Sequence, residues 1–117
     1  MKLLLIDDDI NLSRVLAYQL QKNGFLVSTA KNGDEGLSLF FKESFDIIIT
    51  DKNMPNMGGV KLLKSVRKID PDVKVVLITG FGGKQSYINA MGLGAVEFLH
   101  KPLRIGDLKK FISNLIK

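Results

Sequence analysis

The sequence predicts an α/β fold, a single (βα)5 unit built on one doubly wound parallel sheet, and three observations predict it. Apolar runs of strand length occur at 3–6 (LLLI), 45–49 (FDIII), 73–78 (VKVVLI) and 95–99 (AVEFL), with a weaker one at 25–30 (FLVSTA). Such unbroken runs are what strands buried on both faces require. Segments with helical spacing of apolar residues lie between them, and turn-forming residues separate the two kinds of segment.

Taken in order, the first strand ends at three acids, Asp7, Asp8 and Asp9. Leu12, Val15, Leu16 and Leu20 then mark a first helix, and Gly24 follows its end. After the weaker second strand, Leu37, Phe40 and Phe41 mark a second helix, with Asp34 and Glu35 near its start, where the helix dipole favours acids. Val60, Leu63 and Val66 mark a third, closed by "DPD" at 70–72, and Ile88 and Met91 a short fourth. Ile105, Leu108, Phe111, Ile112 and Leu115 mark a closing fifth. Strict alternation of strand and helix implies a parallel sheet covered on both faces. Right-handed crossovers then favour the strand order 2-1-3-4-5, the flavodoxin-like arrangement, with ligands bound beyond the C-terminal ends of strands 1 and 3.

At 117 residues the chain is one ordinary domain, expected to span 1–117, able to bury about 65% of its unfolded surface without staples. It has no cysteine, which excludes disulfides, thiolate metal sites and thiol nucleophiles. No apolar run approaches the roughly 20 residues that span a bilayer, so no membrane association and a cytoplasmic location are expected. The net charge of +5 is unevenly spread: residues 1–51 carry 5 basic and 8 acidic groups, residues 52–117 carry 12 and 4. Lys61, Lys64, Arg67 and Lys68 share a helix with Val60, Leu62, Leu63 and Val66, which reads as a solvated helix face rather than a direct nucleic-acid site.

The predicted topology gives the acids a purpose. Strand 1 ends at Asp7–Asp8, strand 3 at Thr50–Asp51, strand 4 at Thr79–Gly80 and strand 5 at His100–Lys101–Pro102, so all four ends meet at one crevice. Carboxylates facing each other there repel unless a cation neutralises them. Magnesium, which takes one or two carboxylates and recruits phosphoryl oxygens, suits the set best. Lys101 and Thr79 supply an ammonium and a hydroxyl for the remaining phosphoryl oxygens, and Asp51 is the candidate nucleophile. His100 reads as structural or exposed.

The motifs "LLIDDD" (4–9), "DIIITDKNMPNMGG" (46–59), "VVLITG" (75–80) and "LGAVEFLHKP" (93–102), with the closing amphipathic helix, resemble the receiver domain of two-component response regulators over essentially the whole chain. The resemblance implies that Asp51 is the phosphoacceptor and that Asp7 and Asp8 are the acidic pair for magnesium. It implies that Asn53 offers its backbone carbonyl to the same metal, that Thr79 is the switch hydroxyl, and that Lys101 contacts the phosphoryl group. Pro102 matches a proline that follows a cis bond, and Phe98 the aromatic switch position.

The implied partners are a sensor histidine kinase or histidine phosphotransfer protein, which donates from phosphohistidine, and a downstream effector protein or output domain. A phosphorylation-dependent homodimer is also expected. The face formed by the fourth helix, fifth strand and fifth helix is expected to change partner preference, helped by the glycines of "TGFGGK" (79–84). The implied role is signalling, with no catalysis beyond the domain's own phosphotransfer and dephosphorylation.

Two departures stand out: Gly58 replaces a frequent Asp and weakens a helix N-cap, and Asp9 is an extra acid expected to cap helix 1. Phe81 and Asn53 lie where they could affect the lifetime of the phosphoryl group, in a direction the sequence leaves open. The alternative, a magnesium-dependent phosphatase with an aspartate nucleophile, needs a second Asp two residues after the nucleophile, where this chain has Asn53. A calcium loop fails at Leu12 and Tyr18, and a flavin module at the carboxylates after strand 1. "LITGFGG" is similar to receivers attached to enhancer-binding ATPases, but the end of the chain at Lys117 favours the reading of a stand-alone regulator.

Overall fold

The computed structural model describes residues 1–52, 54, 57–80, 88–89, 91–92, 94–95, 97–100 and 105–115. Its elements are β1 (Lys2–Ile6), α1 (Ile10–Lys22), β2 (Leu26–Ala30), α2 (Gly33–Lys42), β3 (Ile47–Asp51), α3 (Gly59–Ile69), β4 (Lys74–Thr79), β5 (Glu97–His100) and α4 (Ile105–Leu115), the closing helix. The sheet is parallel throughout, in the order β2-β1-β3-β4-β5, as the alternating pattern predicts.

Because side chains alternate across a strand, each apolar run feeds two cores. Leu4, Ile6, Ile48, Val75 and Leu77 pack with Leu62, Leu63 and Val66 of α3 on one face. Leu3, Leu5, Ile47, Ile49, Val76 and Ile78 pack with Leu16 and Leu20 of α1 and Leu108 and Ile112 of α4 on the other. Each fully buried Leu or Ile contributes about 1.5–3 kcal/mol of transfer free energy, so the central strands anchor the crevice above them.

β2 is an edge strand with only Ala30 buried, which explains its weak apolar signal. β3 begins at Ile47, two residues later than the apolar run at 45–49 suggests. Asp46 is occupied differently: its N–H donates to the Lys2 carbonyl and its carboxylate accepts from the Lys2 N–H. β5 likewise starts at Glu97 rather than at 95, after Gly94 turns the chain with φ +99°.

The helix ends follow local chemistry. Gly24, at φ +90°, takes the left-handed conformation after α1 that a Cβ would oppose. Asp70 closes α3, its Oδ1 accepting from the N–H groups of Asp72 and Val73. Arg67 then ties this end to the approach to β5: its guanidinium donates to the carbonyls of Asp70, Val73 and Gly94. Residues 88–89 and 91–92 are helical, within the predicted fourth helix, and Met91 packs against the first core. Among the described residues, no helix is long and apolar enough to cross a membrane.

Candidate functional site

The sheet register decides which side chains meet. Ile6 pairs with Thr50 and Asp51 with Ile78, so Asp7 lies just beyond the end of β1 while Asp51 is the last residue of the neighbouring β3. Thr79 ends β4, one residue past the partner of Asp51, and is fully buried. The Lys52 N–H donates to the Ile78 carbonyl at 2.7 Å and the Asp7 N–H to the Ala30 carbonyl at 3.1 Å, extending both ladders up to the carboxylates.

Asp7, Asp8 and Asp51 each place a carboxylate oxygen within 4.8 Å of the other two. Asp7 is 1% exposed and Asp51 4%, whereas Asp8 faces solvent. Three carboxylates this close, two of them buried, are costly without a compensating cation. Their all-oxygen, anionic donor set fits a hard divalent ion entering from the Asp8 side.

The third acid of the opening run has a separate task. Asp9 is the N-cap of α1, and its Oδ1 accepts from the Leu12 N–H at 3.1 Å. Its own backbone N–H donates to Asp7 Oδ1 at 2.9 Å and so aims the Asp7 carboxylate. That backbone contact carries no side-chain signature and was invisible in the sequence. Asp9→Ala is therefore expected to cost about 0.5–2 kcal/mol in urea denaturation through the lost cap. It should weaken divalent binding far less than Asp8→Asn, because the N–H that orients Asp7 survives.

A pair of glycines packs directly behind the phosphoacceptor candidate. Gly58 is the N-cap of α3 and makes no side-chain cap bond, as its identity predicts. The structure adds a reason for glycine: a Cβ on Gly58 would stand 2.7 Å from the Lys52 carbonyl oxygen, and one on Gly59 2.8 Å from the Asp51 carbonyl oxygen. The Gly59 N–H donates to the Lys52 carbonyl at 2.9 Å, clamping the start of α3 to the end of β3. The sequence showed the missing cap but not this contact.

The remaining predicted positions are placed only in part. Asn53, Lys101, Pro102 and residues 81–87 lie outside the described residues, as does the side chain of Phe98, whose backbone pairs with Leu77. His100 pairs with Thr79 in the same register.

Comparison with known proteins agrees with this arrangement. The family model described as "Response regulator receiver domain" matches residues 3–113. The chain is similar to the transcriptional regulatory protein GlrR of Escherichia coli K12, 36% identical over 115 residues, covering 98% of this chain and 26% of that protein. The curated relatives it matches are longer proteins, of which it spans between 26% and 50%. A receiver domain from Clostridium thermocellum superposes with a TM-score of 0.91 at 37% identity, over 97% of this chain and 91% of that one. The Thermotoga maritima response regulator TrrA, solved in complex with Mg2+ and BeF, superposes with a TM-score of 0.87 at 31% identity, over 97% of each chain. With its parallel sheet and its three acids at the ends of β1 and β3, the chain belongs to the response regulator receiver domain family of two-component signalling.

Proposed function

We propose that Asp51 accepts a phosphoryl group from a phosphohistidine of a sensor histidine kinase or histidine phosphotransfer protein. The observation that carries this reading is the meeting of Asp7, Asp8 and Asp51 within 4.8 Å at the switch point of the sheet. An Asp51 carboxylate oxygen attacks the phosphorus, the N–P bond breaks, and the departing imidazole takes up a proton. The product is an acyl phosphate on Asp51. Asp7, Asp8 and Asp51, with the Asn53 carbonyl, are the proposed holders of magnesium, which supplies positive charge against the carboxylates and the phosphoryl oxygens. Thr79 contributes a hydroxyl and Lys101 an ammonium to the same oxygens.

Phosphorylation then shifts a pre-existing balance between two packings. Thr79 moves toward the new phosphoryl group, Phe98 packs inward, and the surface of the predicted fourth helix, β5 and the closing helix α4 changes its preference for an effector protein, an output domain or a second copy of the receiver. The proposed role is that of a cytoplasmic signalling switch rather than an enzyme acting on a separate substrate. Its partners and full activity depend on the protein in which it works.

Incubation with acetyl phosphate and magnesium is expected to add one phosphoryl group, read by intact mass. Chelation of divalent ions with EDTA should reduce incorporation to background, and Asp8→Asn should demand far more magnesium for the same yield. Undiminished incorporation in EDTA would remove the metal from the mechanism.

A further inference from the structure

We infer that Arg67 is a positioning residue that holds the entrance of β5 and so sets how readily the switch turns when Asp51 is phosphorylated. The inference rests on the phosphoacceptor reading of Asp51 and adds to it a residue that takes no part in the chemistry.

The observation is one guanidinium shared by three segments. Arg67 Nη1 donates to the carbonyls of Val73 at 2.6 Å and Asp70 at 3.3 Å, in the turn that follows α3. Nη2 and Nε both donate to the Gly94 carbonyl, at 2.6 and 3.2 Å. Gly94 stands three residues before Glu97, where β5 begins. A single planar side chain therefore fastens α3, the approach to β4 and the approach to β5.

Gly94 is suited to this contact. Its φ of +99° is open to glycine at little cost, and a Cβ there would stand 2.8 Å from Arg67 Nε. Its N–H donates to the Met91 carbonyl at 3.1 Å, and the next residue, Ala95, is buried in the core that holds Val66 and Val73. β5 has little else to hold it. It is four residues long, lies at the edge of the sheet and, among the described residues, pairs only with β4. That ladder joins Leu77 to Phe98 and Thr79 to His100.

The other end of α3 touches the phosphoacceptor. The Gly59 N–H donates to the Lys52 carbonyl at 2.9 Å, and a Cβ on Gly59 would stand 2.8 Å from the Asp51 carbonyl oxygen. From Gly59 to Arg67 the helix rises about 12 Å, so one rigid element reaches from the Asp51 backbone to the entrance of β5. A strap stabilises the packing in which its bonds are complete. Here they are complete with the Asp51 carboxylate beside those of Asp7 and Asp8. A move of β5 on phosphorylation lengthens the bonds to Gly94, so Arg67 disfavours the switched packing relative to this one.

The probe is beryllium fluoride with magnesium, a stable stand-in for the phosphoryl group, titrated into the folded domain and read from the amide signals of Glu97–His100. Arg67→Lys keeps the charge and loses the planar fork. It is expected to lower the beryllium fluoride concentration at half-occupancy by about three- to tenfold. Before any is added, its β5 amide signals should already lie part of the way from the parent's free positions to its bound ones. Gly94→Ala pushes the guanidinium away while leaving Arg67 in place, and should act in the same direction. The double variant should add little to either single one. Lys64→Gln, which removes a charge from the exposed side of α3 and none of these bonds, should titrate as the parent does.

Parental half-occupancy and parental amide positions in Arg67→Lys would overturn the inference, because a fastening that serves stability alone lowers the urea midpoint and moves neither reading. A shift of equal size in Lys64→Gln would also overturn it, by assigning the effect to charge. Either result leaves the phosphoacceptor reading standing, since the parent still binds. A parent that neither takes a phosphoryl group from acetyl phosphate nor binds beryllium fluoride would defeat both.

Discussion

Asp51→Asn is expected to eliminate phosphoryl incorporation from acetyl phosphate and magnesium, leaving an intact mass equal to that of the untreated variant. Asn has nearly the shape of Asp, and position 51 is held by the ladder to Ile78 and by the Lys52 N–H bond to the Ile78 carbonyl, so the backbone should stay in place. The amide oxygen carries no full negative charge and cannot form an acyl phosphate. Neither neighbouring acid is an equivalent substitute. Asp7 has one oxygen occupied by the Asp9 N–H, and Asp8 lies on the solvent side of the cluster. Circular dichroism should show an unchanged fold, which makes the loss a chemical one. Labelling of the Asn variant to the parental level, or a peptide map that places the group on Asp8, would sink the assignment.

A second large effect is expected at Gly59, where general helix chemistry and local packing give opposite answers. At an ordinary helical position Gly→Ala gains up to about 1 kcal/mol. Here the added Cβ would stand 2.8 Å from the Asp51 carbonyl oxygen, 2.8 Å from Leu77 Cδ2 and 3.0 Å from Lys52 Cα. Two of those three atoms are backbone and cannot swing aside. They belong to the residues that carry and follow the candidate nucleophile. Forcing a methyl group into a packed site costs about 1–3 kcal/mol, so packing should outweigh propensity and Gly59→Ala should lower the urea midpoint. Because the displaced atoms include the Asp51 backbone, the rate of phosphoryl incorporation should fall as well. A variant as stable as the parent would show that α3 can retreat from β3 without consequence.

The three aspartates show where reading the chain succeeds and where it stops. Their position after an apolar run marked a strand end, and the alternation of strands and helices placed Asp51 at the neighbouring strand end. That Asp9 caps α1 was also legible, because an acid just before a helical pattern is an N-cap by known local chemistry. What was not legible is that the Asp9 backbone N–H orients Asp7, since every residue but proline has an N–H and its partner depends on a turn. The weak apolar signal of β2 has a similar origin. An edge strand buries less side-chain surface, so LVSTA satisfies its place in the sheet mainly through main-chain pairing with β1.

Arg67 illustrates the same limit at longer range. Its spacing with Lys64 and Lys68 read as part of a solvated basic face, and for Lys64 and Lys68 the exposure agrees. Arg67 instead spends its guanidinium on the carbonyls of Asp70, Val73 and Gly94, a backbone target 27 residues away that no charge pattern announces.

The sequence by itself determined the architecture, because period-two burial, helical spacing and right-handed crossovers leave few ways to cover a five-stranded parallel sheet. It also determined which acids stand at strand ends, since those positions follow from where the apolar runs stop. The tertiary structure alone decided which atoms meet. Carboxylate oxygens of Asp7, Asp8 and Asp51 within 4.8 Å, and glycines closing on the Asp51 and Lys52 carbonyls, depend on sheet register and on helix docking. Those are set by the packing of residues distant in the chain, and no local pattern encodes them.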